Sequence, residues 1–273
     1  MILHPNAKIN LGLNVVRKRP DGYHDLETVF YPIPLTDDLE LNPIYSLDKP
    51  YKLIMNGNAI DGEDEDNLVV KALRLLKNKG FNIPPVEIKL NKQIPSGAGM
   101  GGGSADAAFM LKALNECFCL NIPTHILELY AAELGADCAI FIQNKPVYAE
   151  GIGNIFTDIS LSLSGYYLVV VKPDVFISTK AAFSQIKPAV PEQNLKDIIK
   201  KPIEEWKDCM FNDFEYSVFP QFPEIAAIKQ KLYDSGAVYA AMSGSGSSVF
   251  GIYTESQSLQ DSFSGCFYTC LKL

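Results

Sequence analysis

Several common marks of function are missing from this chain of 273 residues. No two cysteines are spaced CxxC and no histidine stands near a cysteine at ligand spacing. Cys117, Cys119, Cys138, Cys209, Cys266 and Cys270 therefore read as reduced, packed thiols. No segment reaches the ~18 consecutive apolar residues of a membrane helix. The opening MILHPNAKINLGLNV has neither the basic start nor the continuous apolar core of a signal peptide, so a cytoplasmic protein is expected. Positive charge is in deficit: 24 Lys and Arg stand against 32 Asp and Glu, a net charge of −8. A nucleic-acid backbone would meet a surface of its own sign, and any phosphorylated ligand must be held locally, against the overall field. There is no internal repeat, no low-complexity segment and no charge block longer than Glu63 to Asp66. A composition of 47% hydrophobic and 21% charged residues is that of an ordinary globular protein, and at roughly 150 residues per domain the length suggests two domains.

Glycine, by contrast, is concentrated in one place. In IPSGAGMGGGSADAA, Ile94 to Ala108, the residues Gly97, Gly99, Gly101, Gly102 and Gly103 allow positive φ and leave no Cβ in the way. Several backbone N–H groups can then converge on one anion. Ser104 reads as a helix N-cap, and Ala105 to Leu114 follow with strong helix propensity, so unpaired N–H groups and the positive dipole end would face the loop. Two common phosphate motifs fit only in part. Gly97, Gly99 and Gly102 satisfy GxGxxG, but Asn121 and Ile122 stand where an acidic residue would touch a ribose about 20 positions on. Gly97 and Gly102 begin a Walker A loop, but Gly103 replaces its lysine. A flexible linker is a poor description, because an apolar alanine-rich helix follows at once.

Elsewhere, residues 7 to 19 alternate, with Ile9, Leu11, Leu13 and Val15 on one face and Lys8, Asn10, Gly12 and Asn14 on the other. Taken alone, that is a strand with a solvated polar face. Pro20, Asp21 and Gly22 make a turn that presents Tyr23 and His24, and a strand continues to Ile33. Strands are predicted at 38–42 and 51–55, an acidic loop at 57–66, and a helix from Asp66 or Asn67 to Gly80. The strand Val86 to Lys92 leads into the glycine loop. A helix capped by Thr124 stops at Gly135 and delivers Asp137 just beyond, where a structural Asx turn is the plain reading. Strands follow at 146–150 and 167–171, separated by a linker at 160–165. Further helices are predicted from a Thr179 cap and from Pro223 to Gly236, and two strands flank the turn MSGSGSS.

The glycine loop, Pro95 followed by Gly99-Met100-Gly101-Gly102-Gly103-Ser104, resembles the ATP loop of the GHMP kinases. The segment AKINLGLNVVRKRPDGYH and the GAD ending at Asp137 resemble the same family in the same order, and SGSGSS resembles its third motif, so the likeness covers nearly the whole chain. It implies an α+β, two-lobed fold: an N-terminal ribosomal-protein-S5-like ATP-binding domain over 1–160 and a C-terminal ferredoxin-like α/β sandwich over 161–273, with the acceptor in the cleft. It implies ATP with Mg²⁺ carried by the nucleotide, held by Pro95, Ser96, Gly97, Ala98, Gly99, Met100, Gly101, Gly102, Gly103, Ser104 and Ala105. Ser104 is the available hydroxyl for the metal, and Asn67 and Lys92 match positions near the adenine. By the same likeness Asp137 is the general base and Lys8 the ammonium that keeps it ionised.

PDGYH points within the family to kinases whose small-molecule acceptor is a methylerythritol carrying cytidine diphosphate, phosphorylated on its 2-hydroxyl for isoprenoid precursors. Tyr23 and Phe183 would stack on the cytosine, His24 would read its edge, and Asn10 and Thr179 would lie near the methylerythritol. Mevalonate or homoserine kinases would share the loop, and a non-catalytic nucleotide-binding module would keep it without needing Lys8 or Asp137. Three features depart from the family pattern: Met100 for Leu, Ala105 for a second Ser, and Cys138-Ala139-Ile140 after the aspartate.

Overall fold

The computed structural model describes residues 1–44, 49–58 and 62–273, so the middle of the expected 57–66 loop lies outside the described residues. The chain gathers into two compact units, each assembled from separate stretches: 1–7, 35–96 and 101–145 in the first, and 8–34, 97–100 and 146–273 in the second. The second unit takes in both sides of residue 160, where the sequence suggests a boundary.

The first unit is built on a four-stranded sheet in the spatial order Ile2–Leu3, Asp38–Pro43, Val86–Lys92, Tyr51–Gly57. The last pair is parallel, with Tyr51 opposite Val86 and Gly57 opposite Lys92, and the other pairs are antiparallel. Along Val86–Lys92 alternate residues are buried, including Val86, Ile88 and Leu90, as a strand with one face on a core requires. Helices Leu68–Asn78, Gly102–Cys117, Thr124–Leu134 and Ile140–Gln143 pack on one another. Asn67 caps the first of these, its side chain accepting the Val69 N–H.

Two sheets have most or all of their residues in the second unit. One runs Asn6–Lys18, His24–Thr36, Val147–Glu150, Ile155–Asp158, and the other Tyr239–Met242, Val249–Tyr253, Tyr167–Lys172, Phe267–Lys272. The latter is wholly antiparallel and buries Val169, Val171, Val249 and Tyr253 against Ile225 and Leu232 of the helix Pro223–Asp234. That helix begins with Pro223, whose missing N–H costs nothing in a first turn.

Three expected caps move by a residue or more. Ser178, not Thr179, caps Thr179–Phe183: its backbone is extended and its hydroxyl accepts the Ala181 N–H at 3.1 Å, while Thr179 is already helical. Pro123 in an extended conformation precedes the helix Thr124–Leu134, and Thr124 makes no capping hydrogen bond there. The glycine helix starts at Gly102 behind a left-handed Gly101, so Ser104 lies inside its first turn rather than at its cap. Ala105 N–H already reaches the Gly101 carbonyl at 2.8 Å, because glycines at 101–103 let the chain enter the helix earlier.

Candidate functional site

The loop's backbone is the first requirement. Gly97, Gly99 and Gly101 have φ of 61°, 70° and 70°, while Ala98 and Met100 between them are not among the residues with positive φ. Alternating signs of φ turn successive N–H groups toward one side, the geometry of an anion-binding nest. At Gly99 a Cβ would come 2.0 Å from the Ser243 carbonyl oxygen, so no other residue fits. At Gly102 a Cβ would press on Ile94 at 2.8 Å, whereas at Gly103, which is exposed, it would meet only Leu68 at 3.6 Å. The helix that follows carries no acidic residue in its first turn, leaving its N-terminal dipole uncompensated there. The backbone of Gly97 to Met100, and by itself the open first turn of the helix Gly102–Cys117, are each suited to an anion.

Gly97 to Met100 belong to the second unit, as do Lys8 and Asn10. Both side chains are buried, at 2% exposure each, which corrects the reading of their strand face as solvated. The loop and the turn after Tyr239–Met242 cover that face. Lys8 donates through Nζ to Asn10 Oδ1 at 2.7 Å and to the Gly99 carbonyl at 3.1 Å, and its N–H reaches the Met100 carbonyl at 3.0 Å. Its ammonium also stands 5.0 Å from the Phe30 ring centroid. Asn10 Nδ2 donates to Thr28 Oγ1 at 2.9 Å, and the Thr28 hydroxyl in turn donates to the Gly12 carbonyl at 2.6 Å. Ser243 closes the network, donating to the Gly99 carbonyl at 2.9 Å and accepting the Asn10 N–H at 3.3 Å. Asn212 holds the serine turn by donating to the Met242 and Gly244 carbonyls, each at 2.8 Å. Burial raises the Glu215 carboxyl, which accepts the Met242 N–H at 2.8 Å and Lys229 at 2.6 Å. Sequence reasoning names none of Thr28, Asn212 or Glu215, and no local pattern marks them.

In the same unit the turn at Arg19 to Tyr23 is closed by Asp21, whose carboxylate accepts the Tyr23 N–H and is held below the usual range mainly by that bond. Tyr23 is exposed. His24 stacks on Phe183 with centroids 4.5 Å apart and planes 20° apart, and Phe214 meets Phe183 edge-on at 4.8 Å. Burial, then the charge of Lys18, lowers the His24 pKa, so its imidazole is neutral at pH 7, with one donor and one acceptor nitrogen. Thr179 is exposed at the start of its short helix.

Pro95, Ser96, Gly101 to Ala105, Asn67, Lys92 and Asp137 belong to the first unit. Asp137 lies half-buried in the turn between Thr124–Leu134 and Ile140–Gln143. Its neighbour Cys138 is wholly buried, with the thiol pushed up to about 11, mainly by burial and further by the charge of Asp137, while a hydrogen bond with Ser104 opposes the rise. Asn67 is half-buried at its helix cap, with Nδ2 3.6 Å from Met55 Sδ. Lys92 is buried and faces two carboxylates, Asp37 and Asp106, its Nζ lying 2.6 Å from Asp106 Oδ2. Burial first, and the charge of Asp37 with it, push the Asp106 carboxyl up to about 7 against the pull of Lys92. Asp106 was legible in principle, as the one acidic residue in the run Ala105 to Leu111. All six cysteines are free, and among the described residues no three His, Cys, Asp or Glu side chains group to hold a metal.

Comparison with known proteins agrees with this geometry. Family models match residues 67–145, as the GHMP kinases N-terminal domain, and 194–266, as the GHMP kinases C-terminal domain. A 4-diphosphocytidyl-2-C-methyl-D-erythritol kinase of Bacteroides fragilis is 62% identical over 275 residues, covering 100% of both chains. The chain belongs to the 4-diphosphocytidyl-2-C-methyl-D-erythritol kinase family of GHMP kinases. Members of this family are ATP-dependent small-molecule kinases, and so is this one. A crystal structure of 4-(cytidine 5'-diphospho)-2C-methyl-D-erythritol kinase aligns with a TM-score of 0.82 at 28% identity, over 100% of this chain and 99% of that one. A homoserine kinase from Cytophaga hutchinsonii aligns at 0.66 and 18% identity, over 97% and 94%, which is a likeness of fold alone. The α+β GHMP kinase fold expected from the sequence is the fold of this kinase.

Proposed function

We propose that this kinase transfers the γ-phosphoryl group of ATP to the 2-hydroxyl of 4-diphosphocytidyl-2-C-methyl-D-erythritol, in the cytoplasm, as a step toward isoprenoid precursors. The observation that carries the proposal is full-length identity of 62% to a kinase named for that acceptor, in a chain whose PDGYH turn presents Tyr23 and His24. Mevalonate and homoserine kinases share the loop but give the family likeness no reason to include that turn.

The chemistry requires an aligned phosphate chain, compensation of its charge and removal of the acceptor's proton. Backbone N–H groups of Gly97 to Ser104 would align the phosphates. Mg²⁺, carried by the nucleotide, would offset their charge, with Ser104 the side-chain oxygen able to hold it. Asp137 would take the proton, and Lys8 would favour the ionised carboxylate and the developing alkoxide. At the acceptor's far end the neutral His24 can donate and accept at a cytosine edge, and Tyr23 and Phe183 offer ring faces to the base. Since His24 is stacked on Phe183, a base using that face of Phe183 would displace the imidazole. Asn10 and Thr179 are assigned to the methylerythritol, Asn67 and Lys92 to the adenine side. The family division into domains over 1–160 and 161–273 belongs to the same proposal.

The test is an incubation of the protein with ATP, Mg²⁺ and the cytidyl acceptor, followed by release of ADP and the phosphorus spectrum of the product. ADP with a new phosphomonoester on the acceptor, and none with mevalonate or homoserine, is the expected result. ADP formed only with one of those two alcohols would overturn the acceptor, and nucleotide binding without ADP from any of them would leave a binding module.

A further inference from the structure

The buried group Asp37, Lys92 and Asp106 has a geometry that the transfer of a phosphoryl group does not by itself require. Lys92 is the last residue of its strand, Asp37 stands between the strands His24–Thr36 and Asp38–Pro43, and Asp106 is the fifth residue of the glycine helix. All three side chains are 2% exposed or less. Asp37 uses both oxygens: Oδ2 pairs with Lys92, and Oδ1 accepts the N–H groups of Gln93 at 2.6 Å and Ile94 at 2.8 Å. Lys92 then bonds Asp106 at 2.6 Å. The strand end, the peptide units leading into the glycine loop and the helix leaving it are thus held by one chain of charge-assisted hydrogen bonds. Gly102 lies directly against this group, since a Cβ there would be 3.4 Å from Lys92 Nζ.

Two features are poor choices for stability alone. Two carboxyl groups share one ammonium out of water, which forces Asp106 toward its neutral form, and Asp106 Oδ1 is buried with no hydrogen-bond partner. A residue kept at such a cost close to a functional loop points to a role in that loop. From this juxtaposition we propose that Asp37, Lys92 and Asp106 are positioning residues that fix the first turn of the glycine helix so that its N–H groups meet the phosphates of ATP. Lys92 acts here through Asp106 and needs no contact between its ammonium and the nucleotide. The inference rests on ATP binding at the loop, and not on the identity of the acceptor.

The experiment is direct titration of ATP with Mg²⁺ into the full chain without acceptor, together with KM for ATP and for the acceptor and thermal unfolding of each variant. Asp106→Ala is expected to weaken ATP binding about tenfold or more, the loss of about one hydrogen bond to a charged phosphate, with the acceptor's KM little changed. Two volume-conserving variants separate positioning from folding. Asp106→Asn keeps an acceptor for Lys92 and is expected to recover most of the loss. Asp37→Asn must set its NH2 against either the Lys92 ammonium or the Gln93 and Ile94 N–H groups, donor against donor, and is expected to weaken ATP binding more than Asp106→Asn does. The order Asp106→Ala, Asp37→Asn, Asp106→Asn, from weakest ATP binding to tightest, supports the inference. Should Asp106→Ala not fold, the two Asn variants decide by the same order. Folded variants that bind ATP as the unaltered protein does, or that lose acceptor and ATP affinity alike, overturn it. Failure of the unaltered protein to bind ATP would instead overturn the reading of the loop.

Discussion

The two halves of the glycine loop are held by different means. Gly97 to Met100 is fixed through carbonyl oxygens: Gly99 accepts from Lys8 and Ser243, and Met100 accepts from the Lys8 backbone. Gly101 to Ser104 lies beside an ionic group, with Lys92 next to Gly102, Asp37 paired to Lys92, and Asp106 one turn into the helix. In the first half every named bond consumes an acceptor and leaves N–H groups for a ligand. In the second, the N–H groups are left over by the helix itself, and the protein's task is to aim them. An anion site built from backbone thus needs partners for its carbonyls on one side and a rigid seat for its helix on the other.

The largest effect should come from breaking the first half at its tightest point. Gly99→Ala puts a Cβ against the Ser243 carbonyl at a φ of 70°, and should cost on the order of 2–6 kcal/mol, read from urea unfolding together with loss of ATP binding. In the second half, Lys92→Ala strands two buried carboxylates and should cost about 3–5 kcal/mol. A loss under 1 kcal/mol in urea would show that water reaches the group and that the ionic seat is not one. Phe183→Ala touches neither half: acceptor binding should weaken by about 1–3 kcal/mol, seen as a raised acceptor KM. An equal rise in the KM for ATP would place the ring elsewhere. Ser243→Ala should be the mildest, near 1 kcal/mol, because Lys8 still donates to Gly99. A larger loss of ATP affinity than that would make Ser243, rather than Lys8, the principal hold on the loop.

Where structure is local, the sequence was enough to find it. Val86–Lys92 is legible as the strand leading into the glycine loop, Pro223–Asp234 by a proline at a helix start, and the loop itself by composition and context. The pattern alone makes the face of Lys8 and Asn10 look solvated, because what buries them comes from residues about 90 and 230 positions away. The same distance hid Asp37, which stands 55 positions before Lys92. Caps shifted by a residue where two capping types are adjacent, as at Ser178 and Thr179, since only the backbone angles decide between them. The family resemblance supplied roles for Lys8 and Asp137 that no spacing rule could have given.

The proposed phosphoryl transfer depends most on a carboxylate at 137 that would take the acceptor's proton while backbone amides would hold ATP. Single-turnover phosphorylation by Asp137→Asn, with ATP affinity measured alongside, tests both parts at once. The expected result is a rate lower by about 10²-fold or more with ATP affinity little changed. Turnover near that of the unaltered protein would contradict it.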